Sequence, residues 1–195
     1  ASLNLRVLTP QSHRSMPWKN GLGTTWEIAV STEEPYAWRF TSAEVEPGET
    51  PFSVFEGYDR NLMLLEGTGL ELNWDSKRRI LNQNEVFSFP GEARLIARSN
   101  TPCRDLNLFN LRTRCTASLH CAAYQPNEEI QFPLQGAEHF VHVLAGNIEF
   151  LESNTGAKGV LHPGETLWIS RVSPVNLLNL RTCSDSKAAC CAWGI

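Results

Sequence analysis

Short runs of alternating apolar and polar residues recur along most of this chain. Leu3–Leu8 alternates and predicts an edge strand. In the next run Trp26, Ile28 and Val30 alternate with Glu27 and Ala29. In Trp38–Val45, Trp38, Phe40, Ser42 and Glu44 fall on one face and Arg39, Thr41, Ala43 and Val45 on the other. Further strands are predicted at Asn61–Leu65, Leu70–Trp74, Val86–Phe89, Ala93–Ala97 and Asp105–Leu111. The second half repeats the rhythm at Ala117–Ala123, His139–Leu144, Ile148–Leu151, Leu167–Ser170 and Val175–Leu180. Turn chemistry such as Glu46-Pro47-Gly48-Glu49, Pro90-Gly91-Glu92 and His162-Pro163-Gly164-Glu165 separates the runs. No long stretch holds a 3.6-residue apolar period, so helix is minor. Many short strands at regular spacing predict an all-β sandwich or barrel.

A weak internal repeat refines this picture. Leu64-Leu65-Glu66-Gly67-Thr68-Gly69-Leu70-Glu71-Leu72 parallels Val143-Leu144-Ala145-Gly146-Asn147-Ile148-Glu149-Phe150, and each is followed by a Pro-Gly-acid turn and more strand. Two related β-barrels in tandem are expected: residues 1–112 form the first and 113–195 the second, packed as one compact unit.

Composition excludes several function classes. At 195 residues the chain can bury a real core, and a net charge of −4 leaves no basic footprint for nucleic acid. Its densest basic group, Lys77-Arg78-Arg79, is expected in a solvated hairpin tip. Nothing approaches the run of about 18 apolar residues a membrane span needs, and no secretory h-region is visible. The six cysteines include no CxxC pair, so free thiols of a cytoplasmic protein are expected.

The most informative stretch is Met16-Pro17-Trp18-Lys19-Asn20-Gly21-Leu22-Gly23-Thr24-Thr25-Trp26-Glu27-Ile28, a constrained loop passing into a strand. Trp18 offers a flat wall and one donor, Lys19 a positive charge, and Asn20 a donor and an acceptor, a set suited to a small anionic or amide-bearing ligand. The competing reading is an ordinary tight turn with a solvated lysine. Strand alternation puts Asp105, Asn107 and Phe109 on one face, and polar groups inside a barrel must bond to each other or to a ligand. Arg60, if inward, can take a carboxylate with two parallel bonds; pairing with Asp105 as structural glue is the alternative. Arg39 has the same option as Arg60.

Strand, glycine turn, strand, Pro-Gly-acid and strand is the rhythm of the cupin barrel. Phe52 to Glu66, where metal-binding cupins carry a His-x-His pair, has no histidine. His139 and His142, three apart on one strand, project to opposite faces and cannot share a metal. No metal and no other cofactor is expected.

The chain resembles the HutD/Ves family of cupin-like proteins. The resemblance rests on Pro17-Trp18-Lys19-Asn20-Gly21 with Thr25-Trp26-Glu27-Ile28-Ala29, then Trp38-Arg39, Ala43-Glu44-Val45, Pro51 through Arg60, Leu64-Leu65-Glu66-Gly67 and Asp105-Leu106-Asn107. It covers about the first 110 residues by motif and the rest by pattern. It implies a bicupin, all-β with tandem cupin-like barrels, a small-molecule pocket in the first barrel, and for HutD members a link to histidine utilisation. Carried over residue by residue, the ligand-binding candidates are Lys19, Asn20, Glu27, Arg60, Asp105 and Asn107, with Trp18 and Phe52 as apolar walls. The favoured function is non-catalytic capture of a small carboxylate, such as urocanate or a formylated or formimino amino acid, by a monomer or homodimer. The alternatives are a metal-independent isomerase or hydrolase using Glu27 or Asp105 as general base, a metal-dependent cupin with unfamiliar ligands, and an interaction module without a pocket.

Overall fold

A computed structural model describes residues 3–134, 136–170, 177–183 and 188–193, the last as backbone alone. It divides into two units, His13–Ala117 and the pair of segments Ala1–Ser12 with Ser118–Ile195. The first strand is β1 (Asn4–Leu8), followed by a 3₁₀ turn at Pro10–Ser12. The unit His13–Ala117 holds β2 (Arg14–Pro17), β3 (Gly23–Val30), β4 (Trp38–Val45), β5 (Gly48–Pro51), β6 (Tyr58–Glu66), β7 (Leu70–Trp74), β8 (Lys77–Leu81), β9 (Val86–Pro90), β10 (Ile96–Ser99) and β11 (Cys103–Leu111). The other unit continues with β12 (Ser118–Ala123), β13 (Glu129–Pro133), β14 (Glu138–Ala145), β15 (Ile148–Glu152), β16 (Lys158–Leu161), β17 (Thr166–Ser170), β18 (Leu177–Thr182) and β19 (Ala188–Trp193). Among the described residues there is no α-helix, and no helix long and apolar enough to cross a membrane.

Each unit is a pair of antiparallel sheets rather than one closed barrel. In His13–Ala117 a six-stranded sheet, β2-β3-β4-β11-β6-β9, packs with a four-stranded sheet, β5-β10-β7-β8. In the other unit the sheets are β1-β17-β14-β19-β12 and β13-β18-β15-β16. The duplication glimpsed in the sequence is explicit in these orders. The strand order β4-β11-β6-β9 matches β12-β19-β14-β17, and β5-β10-β7-β8 matches β13-β18-β15-β16. What differs is what each copy adds at its edges: β2 and β3 extend the first beyond β4, whereas β1 extends the second beyond β17.

Two findings depart from the sequence expectations. The expected first barrel, residues 1–112, includes the N-terminal edge strand, yet β1 pairs with β17, Asn4 opposite Ser170 through Leu8 opposite Thr166. Alternation announces a strand but does not say which sheet edge completes its hydrogen bonds. The basic group Lys77-Arg78-Arg79 is not a hairpin tip but the exposed start of β8; the tip is Asp75-Ser76, both at positive φ, and Arg78 bonds Glu71 at 2.6 Å. Strands β2, β5, β8, β13, β16 and β19 have no counterpart among the strands that alternation predicts, and Val175 and the Cys190 and Cys191 side chains lie outside the described residues. Cys103, Cys115 and Cys121 are free thiols.

The unit formed with Ser118–Ile195 has a hydrocarbon core. Val141, Val143, Ile148, Leu167, Leu178 and Leu180 belong to one buried cluster. His139 and His142 are buried, and His142 Nδ1 lies 2.8 Å from Thr166 Oγ1. In His13–Ala117 the apolar cluster occupies only part of the interior, where Leu62, Leu64, Leu70, Leu72, Leu81 and Phe89 meet. The same-side residues of β3 and β4 are Thr25, Glu27, Arg39, Thr41 and Ala43, and none of them joins it. Six strands set against four leave this polar part of the larger sheet without hydrocarbon cover.

A glycine holds the segment that closes over this polar area. Phe55 N donates to Gly91 O at 2.8 Å and Gly91 N to Tyr58 O at 2.7 Å, so the chain around Phe55 lies directly on Gly91. A Cβ at Gly91 would stand 2.2 Å from Phe55 O and 2.8 Å from Tyr58 O, contacts with backbone that no side-chain rotation relieves. Gly91→Ala is therefore expected to lower stability by about 1–3 kcal/mol in urea unfolding.

Candidate functional site

The strand register lays out the site as a grid. On β11 the residues Asp105, Asn107 and Phe109 share a face, opposite Ala43, Thr41 and Arg39 of β4. On the other side Phe109 faces Arg60 of β6, and Arg60 faces Phe89 of β9. Beyond β4, Thr25 and Glu27 of β3 stand opposite Ala43 and Thr41. Period-two alternation thus carries a row of polar side chains across four neighbouring strands onto one surface.

The β2–β3 connection forms the wall. Trp18 N donates to Gly23 O at 2.9 Å and Gly21 N to Trp18 O at 3.0 Å, closing the loop. Trp18 Nε1 donates to Thr25 Oγ1 at 2.8 Å, which fixes the indole against β3. Gly23 is required by this approach, since a Cβ there would lie 2.8 Å from the indole and 2.5 Å from Glu44 O. Asn20 Oδ1 accepts from Leu22 N at 3.0 Å, so its remaining offer to a ligand is the Nδ2 donor.

Together these elements enclose a cavity of about 670 Å³. Trp18, Lys19, Asn20, Phe52, Arg60, Asp105 and Asn107 line it, with Lys19 and Asn20 exposed at its rim. Glu27 does not line it. Its carboxylate takes the Arg39 Nε–H at 2.7 Å and lies 3.5 Å from Arg14, so it holds Arg39, which does line the cavity. Sequence reasoning missed Thr41, Ser53 and Phe55 in the lining and Phe89 behind it. The alternation of β4 marks Thr41 as a neighbour of Arg39, but the Ser53 contribution is a backbone carbonyl, for which no sequence signal exists.

Arg60 is the central group. It is 6% exposed, and its guanidinium lies 4.7–5.4 Å from the centres of the Phe52, Phe55, Phe89 and Phe109 rings. It donates to Ser53 O at 3.3 Å and, at a long 3.5 Å, to Asn107 Oδ1. Among the described residues no carboxylate reaches ion-pair distance of it. Burial holds its pKa down to about 10, against the opposing charge of Asp105. By contrast Arg39 has Glu27.

Asp105 is 3% exposed, and its Oδ1 is buried with no hydrogen-bond partner among the described residues. Burial pushes its carboxyl up to about 7, despite the Arg60 charge and the Ala43 backbone N–H, which both favour the anion. Among the described residues no three of His, Cys, Asp and Glu come together to hold a metal ion.

Such a two-module, nearly all-β chain has a cupin-like fold. The cupin 2 conserved barrel domain protein from Leptotrichia buccalis has the same fold, with a TM-score of 0.61 over 89% of each chain at 8% identity. Within that fold class the chain belongs to the HutD family, whose sequence model matches residues 10–191. It is 35% identical over 120 residues to the uncharacterized 21.2 kDa protein in the hutC 3′ region of Pseudomonas putida, a match covering 59% of this chain and 63% of that protein. It is 32% identical over 117 residues to Protein Ves of Citrobacter koseri, covering 56% and 61% respectively. Both matches span less than two thirds of the relative's length. The structure of HutD from Pseudomonas fluorescens SBW25, in its formate condition, shares the fold with a TM-score of 0.79 and 24% identity over 97% of both chains.

Proposed function

We propose that the unit His13–Ala117 is a non-catalytic receptor for a small carboxylate-bearing ligand. The observation that carries this reading is the isolated Arg60 guanidinium. Burial holds the guanidinium down to about 10, because the charged form has lost its water. A fold that keeps such a cation inside an aromatic-walled cavity, without an ion-paired carboxylate, has a site that an incoming carboxylate completes with two parallel bonds. Lys19 at the rim adds the positive field that steers an anion inward. The family name and the hutC-region relative support a metabolite of histidine breakdown, or a related acid, as the ligand.

Isothermal titration with formate, acetate, glutarate and urocanate tests the reading. Binding of at least one acid is expected, weakened severalfold in Lys19→Ala. No heat from any acid at millimolar concentration, or the same affinity with and without the rim ammonium and Arg60, counts against it.

Asp105 favours one second reading, a metal-independent isomerase or hydrolase. A carboxyl near 7 in a cavity is poised for general-base work at neutral pH. Glu27 suits that role less, because both its oxygens face arginines. Turnover of an imidazole or amide acid, abolished in Asp105→Asn and retained in Glu27→Gln, would establish this reading over capture.

A further inference from the structure

The cavity contains one arginine without an ion-pair partner and one carboxyl, and this count limits how an anion can enter. Arg39 is neutralised by Glu27 at 2.7 Å, with Arg14 beside them, and Lys19 is exposed at the rim. The Ala43 N–H and the Arg60 charge act on Asp105, and the cavity it lines also holds Arg39 with its Glu27 partner, neutral Asn107 on its own strand and Lys19 from the loop. Burial raises the titration of the Tyr36 hydroxyl, so it brings no charge to Arg60 at neutral pH. A ligand carboxylate at Arg60 would bring a second carboxylate into the cavity that Asp105 lines, with one unpaired guanidinium to serve both. Two like charges sharing a water-poor cavity disfavour each other's ionised form. Removing one charge needs a proton, and the group placed to take it is the carboxyl whose Oδ1 has no partner.

We propose that Asp105 is a specificity-determining residue of the cavity, one that binds a proton from solvent as a carboxylate ligand enters and then donates its O–H to that ligand. This rests on the carboxylate reading of the same site and adds the chemistry of recognition. The ligand meets a bidentate cation on one side and a hydrogen-bond donor on the other. A group that presents an N–H or O–H to Asp105 is matched by the ionised form instead, with no proton uptake. The elevated titration of Asp105 lowers the work of the uptake step, because at neutral pH the proton is already held about half the time. No covalent bond forms or breaks; the proton comes from buffer and returns to it on release.

The test is titration with acetate and formate at pH 5.5, 7.0 and 8.5, each in two buffers of different ionisation enthalpy. At pH 8.5 the expected uptake is close to one proton per ligand, and at pH 5.5 close to zero. The dissociation constant should rise approaching tenfold per pH unit above 7. Asp105→Asn, neutral at all three values, should bind with affinity independent of pH and with no proton uptake. The wild-type proton count needs no variant, so a misfolded Asn protein would not rescue the idea. Binding at pH 8.5 with no uptake, or with proton release, overturns the proposal while leaving the carboxylate reading standing. Failure of both acids to bind at any of the three pH values overturns the proposal, and the carboxylate reading falls with it if glutarate and urocanate also give no heat.

Discussion

Arg60→Met is expected to abolish most carboxylate binding while leaving the protein as stable as before, or more so. Losing a desolvated charge-assisted bond costs about 1.5–3 kcal/mol, a weakening of roughly 10- to 150-fold. Stability should move the other way. The guanidinium has no ion-paired partner to strand, and its two acceptors lie at the long distances of 3.3 and 3.5 Å. A methionine fills similar length, and its thioether packs well among the rings of Phe52, Phe55, Phe89 and Phe109. Asp105 is left without its nearest favourable charge but can stay protonated at neutral pH, so no bare carboxylate remains inside. Replacing buried ionic groups by packed hydrocarbon is often neutral or stabilising, and the unfolding free energy should be unchanged or higher by up to about 2 kcal/mol. Urea unfolding and titration with acetate on the same preparation check both halves. A loss of several kcal/mol in stability would make Arg60 structural glue rather than a ligand-binding group.

Asp105→Asn should change how stability depends on pH. The carboxyl stands at 3.8 in the unfolded chain and about 7 in the folded one. Between those values the native state holds a proton that the unfolded state has released. Wild-type stability therefore falls as pH rises from about 4 to 7 on account of this group, and levels off above. At 1.36 kcal/mol per pKa unit the fall amounts to at most about 4 kcal/mol. The Asn variant lacks this slope. It should match the wild type near pH 4.5 and exceed it by up to that amount at pH 8, read from urea midpoints at a constant m-value. A variant less stable at pH 8 than at pH 4.5, relative to the wild type, would mean that the anion is stabilised in the fold and that Asp105 is an ordinary buried ion-pair member.

The two extra strands explain why only one copy of the repeat carries this chemistry. Where the second copy ends its sheet at β12, the first adds β2 and β3 beyond the matching strand β4. Their loop brings Trp18, Lys19 and Asn20 to the polar face of β4 and β11. Duplication supplied the scaffold, and an edge addition supplied the cavity.

Alternation in β4 and β11 was enough to put Arg39, Thr41, Asp105, Asn107 and Phe109 on defined faces, because side-chain direction along a strand is a local property of the pleat. The loop chemistry of Pro17 through Gly23 and the spacing of the Pro-Gly-acid turns were equally legible, since each follows from the φ preferences of a few consecutive residues. Pairing was not. That β1 joins β17, that Glu27 bonds Arg39 rather than a ligand, and that the Ser53 carbonyl meets Arg60 all depend on which strands lie side by side and in what register. The same holds for the two titrations that matter most. Asp105 and Arg60 have ordinary side chains, and their pKa values move because the folded chain excludes water from both, an effect that exists only when residues far apart in sequence close around them.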